Sequence, residues 1–194
     1  MNYGIVILAA GNSSRLGRPK QLLKFQGKTL LSHTVHEAVK ATGRQTIVVT
    51  GANKDLVENE LLQLPVHFIH NFYWQDGISS SLYIGIISLL KIFPHLDGII
   101  ISVCDQPYIS AELFKRMIAG QQQTKKGIVA TAYKNAIGVP VLFSARYFAE
   151  LLDLDGQDGA KILLNNHPDD LTTIIFVNGE IDIDTPADER KLIP

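Results

Sequence analysis

The sequence predicts an α/β fold, a three-layer sandwich around a mostly parallel sheet. Three observations carry this. Short β-branched runs alternate with longer segments of helical period along most of the chain. Several of those runs are apolar at successive positions, as strands covered on both faces are. No Pro-, Gly- or Ser-rich linker interrupts the pattern. Alternating βαβα order brings right-handed crossovers with it.

Residues 4–8 (GIVIL), 46–50 (TIVVT), 66–69, 98–103 (GIIISV) and 128–132 read as central parallel strands. Between them, residues 30–41, 54–62, 79–92 and 111–122 carry apolar side chains three and four apart, as in Leu31, Val35, Ala38 and Val39. After Ala132 the rhythm changes. Residues 138–143 (GVPVLF) form a short strand, 145–152 and 159–165 are helical, and 173–177 form another strand. Thr185 before Pro186 is an N-cap followed by proline at the first helical position, so a short last helix starts there. The chain is read as one domain, 1–194, with halves at 1–132 and 133–194.

Composition narrows the function. Eighteen Lys and Arg against 19 Asp and Glu leave a net charge of -1, so no global field draws the chain to nucleic acid or an anionic membrane. Any phosphate must be held by local geometry. With 46% hydrophobic and 19% charged residues the chain is not disordered. One cysteine makes no internal disulfide and no paired thiol ligands, which points to a reducing cytoplasm. Met1-Asn2-Tyr3 lacks the positive start of a signal peptide, and the apolar run 5–10 is far below the ~20 residues of a membrane span. A soluble, unanchored protein is expected.

Two segments carry chemistry. Leu8 to Lys20 (LAAGNSSRLGRPK) follows the first strand with a small-residue, Gly-bearing loop and three cations, Arg15, Arg18 and Lys20. Free backbone N–H groups and positive charge in such a loop make a phosphate cradle. It is neither a Walker A loop nor a GxGxxG turn, and Pro19 disfavours helix at Arg18. Taken alone, it reads equally as a βα turn with exposed bases. The second segment, 99–107 (IIISVCDQP), delivers Asp105 at the carboxyl end of a strand, where open α/β sheets bind ligands. Mg²⁺ beside substrate phosphates takes one or two carboxylates, and Asp182 or Asp184 supplies the second. The competing roles are turn or capping residues for all three acids.

Ser79, Ser80 and Ser81 precede a helix, where they either cap it or meet a nucleobase edge or ribose. Phe72, Tyr73 and Trp74 form an aromatic wall for a ring ligand or a half-buried loop cluster. His33 and His36 share a helix face without a third ligand and read as surface residues. His67 and His70 point to opposite faces of a strand. Cys104 reads as a small packed side chain.

These segments resemble the MobA-like nucleotidyltransferase family, and within it the molybdenum cofactor cytidylyltransferases. The resemblance rests on 8–20, 77–82 (GISSSL), 105–107 (DQP), 138–143, 156–161 (GQDGAK) and 182–188 (DIDTPAD), which recur in family order. It implies a Rossmann-like sheet of the nucleotide-diphospho-sugar transferase type, with a nucleotide-binding first half and an acceptor-side second half ending in a metal-binding tail. It implies that Leu8, Ala9, Ala10 and Gly11 line the nucleotide with Ser79, Ser80 and Ser81, that Arg15 contacts the β- and γ-phosphates, and that Lys20 neutralises the α-phosphate. Lys20, Arg15 and Asp105 would be catalytic. Asp105 and Asp184 would bind Mg²⁺, with Asp182 the less favoured ligand. Gly138, Pro140 and Lys161 would meet the acceptor. LAAG, rather than LAGG, is associated with CTP.

The implied reaction moves CMP from CTP to a phosphate monoester of molybdopterin or the molybdenum cofactor, releasing pyrophosphate. The product would pass to a molybdoenzyme chaperone or apo-enzyme. Three positions depart from the family: Val139 replaces a polar residue, Lys161 replaces an arginine, and 133–136 (YKNA) lacks a glycine. These departures keep open another phosphorylated acceptor, or a guanylyltransferase. A non-catalytic nucleotide sensor is the alternative of a different class.

Overall fold

The computed structural model describes residues 2–134, 136–157 and 159–190. The first half holds β1 (Tyr3–Leu8), β2 (Lys24–Phe25), β3 (Lys28–Thr29), α1 (Leu30–Thr42), β4 (Thr46–Thr50), α2 (Lys54–Asn59), β5 (His67–His70), α3 (Ile78–Ile92), β6 (Gly98–Val103) and α4 (Ala111–Thr124). It is followed by β7 (Ile128–Tyr133), β8 (Ala136–Ser144), α5 (Phe148–Leu152), α6 (Lys161–Asn166), β9 (Leu171–Ile175) and α7 (Pro186–Glu189). The central sheet has seven strands in the order β5-β4-β1-β6-β8-β7-β9, and among the described residues only β8 runs against the others.

Alternation along the strands explains the three layers. In β1, Ile5 and Ile7 point to the core under α1, α2 and α4, while Val6 points to the core under α3, α5 and α6. In β6, Ile100 joins the first core and Ile99 and Ile101 the second. Both cores span the two halves of the chain, so one sheet integrates them. β4 lies on one side of β1 and β6 on the other, with Leu8 level with Val103. The loops after β1 and β6 therefore leave from adjacent strand ends at a switch point, which opens a crevice between them.

Several elements differ from expectation. The run at 138–143 is part of β8, a nine-residue strand inserted between β6 and β7. Only residues 134 and 135 separate β7 from β8, too few for a crossover, so β8 has to run antiparallel. Residues 128–132 are accordingly not flanked by parallel neighbours on both sides. α2 ends at Asn59, the 145–152 helix opens as a 3-10 turn at Ala145–Tyr147, and the last strand begins at Leu171. The β2–β3 hairpin was not expected. Its turn, Gln26-Gly27, has φ of 49° and 80° and hands the chain to Thr29, whose side chain caps α1 by accepting from the Ser32 N–H.

Beyond β9 the chain returns to the crevice. Ile183, fully buried among Leu16, Leu23, Phe25 and Leu30, anchors it there, and its N–H donates to the Asp105 carbonyl at 3.1 Å. Thr185 caps α7 in a reciprocal box with Asp188.

Candidate active site

The loop after β1 is shaped by two neighbours. Gln21, 1% exposed, donates its amide to the carbonyls of Ala9 at 3.0 Å and Gly11 at 2.9 Å. It thereby occupies two oxygens that would repel an anion. Gly51 packs so closely that a Cβ there would stand 2.5 Å from the Ala10 carbonyl oxygen, which accepts from the Ala52 N–H. Further along, the Ser13 hydroxyl accepts from the Lys20 N–H at 3.0 Å and closes the loop on itself. Gln21 is the positioning residue that the motif alone does not reveal.

Four charged side chains meet at the mouth of the crevice. Lys20 Nζ lies 2.6 Å from Asp105 Oδ2 and 2.8 Å from Asp184 Oδ1, and Arg15 Nη2 lies 2.8 Å from Asp184 Oδ2. Burial alone would lower the Lys20 pKa, but the Asp105 charge and the hydrogen bonds to both carboxylates outweigh it and raise it. Asp184 is likewise desolvated, yet Lys20 and Arg15 hold its carboxyl below the usual range. Asp182 behaves oppositely: burial and the negative charges of Asp105 and Asp184 push it up. Asp184, not Asp182, is the acid built into the cationic cluster.

The cleft is about 520 Å³, lined by Leu8, Ala9, Ala10, Gly11, Arg15, Lys20 and Asp105 on one side and by Trp74, Gly77, Ile78 and Ser81 on the other. Ser79 and Ser80 do not line it. The Ser79 hydroxyl donates to the Gly156 carbonyl at 2.8 Å, and the Ser80 hydroxyl lies within hydrogen-bond distance of the carbonyls of Tyr73 and Gly77. Asn71 donates to the hydroxyls of Ser80 and Ser81. Of the three neighbouring aromatics only Trp74 borders the cleft, while Phe72 and Tyr73 are mostly exposed.

An adjoining cavity of about 230 Å³ is mainly apolar, with Leu8, Ile78, Val103 and Val139 in its walls and Gly138 and Lys161 among its lining residues. Pro140 is buried in β8 and does not reach it. Asp158 and Asn135, in two of the motif segments, lie outside the described residues. His33 is not a surface residue: it is half-buried, edge-on to Phe25, with Nε2 2.9 Å from the Ile109 carbonyl, because the hairpin folds over that face of α1. His36 Nδ1 sits 2.7 Å from the Ser32 carbonyl. Cys104 is buried, which pushes its thiol up to about 12 and removes it as a nucleophile near neutral pH.

Residues 5–171 match the MobA-like NTP transferase domain. The chain belongs to that family. Nicotine blue oxidoreductase of Paenarthrobacter nicotinovorans is 26% identical over 173 residues, spanning 84% of this chain and 81% of that protein. The bifunctional protein GlmU of Francisella tularensis subsp. novicida (strain U112) is 29% identical over 166 residues, 84% of this chain but only 35% of GlmU. The crystal structure of Rv0371c from Mycobacterium tuberculosis H37Rv superposes with a TM-score of 0.84 at 29% identity, covering 100% of this chain and 98% of that one. The same mycobacterial protein in complex with manganese gives 0.77. The sheet is that of the nucleotide-diphospho-sugar transferases. No helix among the described residues is long and apolar enough to cross a membrane.

One similar structure was solved with manganese, and the donors here suit a hard cation. Among the described residues no cluster of three or more His, Cys, Asp or Glu is arranged around one point. Asp105 and Asp184 offer oxygen alone and share one ammonium, which is the donor set for an ion completed by phosphate oxygens and water.

Proposed function

We propose that this MobA-like NTP transferase moves CMP from CTP to a phosphate monoester of molybdopterin or the molybdenum cofactor, with Mg²⁺ as the working ion. We read it as one cytoplasmic domain in which residues 1–132 bind the nucleotide and 133–194 meet the acceptor and the metal. The observation that carries the reading is the Lys20 ammonium set between Asp105 and Asp184 at the rim of a cleft walled by Ala9, Ala10 and Gly11.

An acceptor phosphate oxygen attacks the α-phosphorus in line, the new P–O bond forms, and the bond to pyrophosphate breaks. Mg²⁺, held by Asp105 and Asp184, would neutralise triphosphate charge. Lys20 moves from its carboxylates onto the α-phosphoryl oxygens, and Arg15 stabilises the departing pyrophosphate. Leu8, Ala9, Ala10, Gly11 and Ser81 hold the nucleoside end, while Ser79 and Ser80 act through the loops they fasten. Gly138 and Lys161 face the acceptor, with Pro140 supporting the strand that carries Gly138. No general base is needed, because a phosphate nucleophile is already ionised near neutral pH. The product would pass to a molybdoenzyme chaperone or apo-enzyme.

A pyrophosphate-release screen over four NTPs and several phosphorylated acceptors, with and without Mg²⁺, tests this. Release is expected with CTP, molybdopterin and metal together. Preference for GTP would make the chain a guanylyltransferase, a different acceptor would replace molybdopterin, and binding without release would make it a sensor.

A further inference from the structure

We infer that the apolar cavity beside the nucleotide cleft seats the carbon skeleton adjoining the acceptor's phosphate, that this skeleton carries no hydroxyls, and that Val139 enforces the choice. This narrows the transfer reading above and rests on it: phosphorylated sugars and polyols are excluded as acceptors. The cavity, about 230 Å³, lies between α3, the ends of β1 and β6, β8 and α6. Leu8, Ile78 and Val103 line both it and the nucleotide cleft, so the two spaces are continuous where β1 and β6 end. A group seated there stands beside the reacting phosphates.

The cavity can be reached from outside. Two of its lining side chains, Ile78 and Ile137, are 39% and 38% exposed although both are large and apolar, so its mouth is itself apolar. Leu82, Ile101, Val141 and Leu164, all buried, close it below. An aliphatic-walled cavity of about 150 Å³ stays dry when empty and binds benzene, so this larger one takes a group of about six carbons.

The placing of polar groups decides what that group is. Among the described lining residues only Tyr133 and Lys161 carry a polar side-chain group. Lys161 is exposed at the start of α6, where its ammonium suits a phosphate held at the rim. The Tyr133 hydroxyl lies against β8, since a Cβ on Gly138 would stand 2.5 Å from it. Sugar hydroxyls entering below Lys161 would give up water and find few partners, which costs affinity at each one. A nucleobase is excluded on the same ground, because its donor and acceptor edge would go unpaired. Val139 is half-buried in the wall, at a position where a polar side chain would supply the missing partner.

The test titrates the full chain by calorimetry with hexyl phosphate, ethyl phosphate and sorbitol 6-phosphate. Each buried methylene is worth ~4-fold in affinity, so hexyl phosphate is expected to bind at least ~30-fold more tightly than either of the others. Val139→Asn is expected to bring both ratios to about 5-fold or less. Gly159→Leu fills the cavity instead, since a Cβ there would sit 3.7 Å from Ile78 in ordinary contact, and it is expected to act alike if the first variant does not fold. Equal affinities in the wild-type chain, or ratios that neither variant moves, overturn the inference. Pyrophosphate release is measured on the same protein with CTP, Mg²⁺ and each phosphate, molybdopterin included. Discrimination in binding without release from any of them supports the cavity and removes the transfer reading. Release as fast with sorbitol 6-phosphate as with hexyl phosphate keeps the transfer reading and removes the inference.

Discussion

Lys20 Nζ and Asp105 Oδ2 lie 2.6 Å apart although 85 residues separate them in the chain. The loop after β1 and the end of β6 thus meet through one charge pair, and Asp184 joins it from the returning tail at 2.8 Å. Removing the ammonium by Lys20→Met takes away the cation between the two carboxylates and leaves Asp184 with Arg15 as its remaining cation among the described residues. Turnover is expected to fall ~10²–10³-fold, the scale of one lost preorganised electrostatic group. In the absence of nucleotide, Mn²⁺ or Mg²⁺ should raise the melting temperature of the variant more than that of the wild type, since no ammonium competes for the acids. Near-normal pyrophosphate release by the variant would remove Lys20 from the mechanism.

Gln21 supplies a second prediction, because its amide donates to two carbonyls of the same loop. Gln21→Leu loses both bonds at a buried position and is expected to cost about 1–3 kcal/mol of stability. Gln21→Glu is expected to be worse, since it sets a carboxylate against two carbonyl oxygens. Urea unfolding ranks the two variants, and a glutamate variant as stable as wild type would show that the clamp does not hold the loop.

What was legible in the sequence follows the physics of each signal. β1, β4 and β6 are apolar at successive positions because both faces are covered, so 4–8, 46–50 and 98–103 stand out without any contact being known. Asp105 was readable as an acid at a strand end, and Thr185-Pro186 as a helix start. Gln21 was not, since one buried polar residue after Pro19-Lys20 has no periodicity to announce it. Nor was β8: a proline in GVPVLF argues for a short strand, yet Val139 and Pro140 fall in a bulge between the paired residues Gly138 and Val141, where no ladder N–H is required. Three serines before a helix fit capping and ligand binding equally. Only the folded chain separates Ser81, which borders the cleft, from Ser79 and Ser80, which fasten loops.

Gly77 joins the two halves beside the cleft. Its φ is 115°, and a Cβ there would stand 2.2 Å from the Gly156 carbonyl oxygen, the same oxygen that accepts from Ser79. Gly77→Ala therefore meets both an unfavourable backbone region and a backbone clash that no rotamer relieves. A loss of about 1–3 kcal/mol is expected, of the order of a strained φ/ψ position. Cleavage within 154–160 should appear under limited proteolysis before the rest of the chain is attacked. Unchanged protease resistance of that segment would show that the Gly156 contact is dispensable.

Asp170 gives a pH dependence away from the chemistry. Its carboxylate accepts from the Tyr147 hydroxyl at 2.7 Å and the Gly127 N–H at 3.0 Å, and it pairs with Arg146. Burial opposes ionisation, but the bonds from Tyr147 and Gly127 and the Arg146 charge prevail and hold its pKa below the usual aspartate value. The unfolded chain, with an ordinary pKa of about 3.9, then takes up the proton first as pH falls. The stabilisation is complete above that value and is lost progressively as pH drops toward the folded pKa. Asp170→Asn should be less stable than wild type at neutral pH, and the gap should narrow below about pH 4. Urea midpoints of the two proteins between neutral and acid pH measure it; a gap that stays constant across the range would mean that the charge on Asp170 adds nothing to the fold.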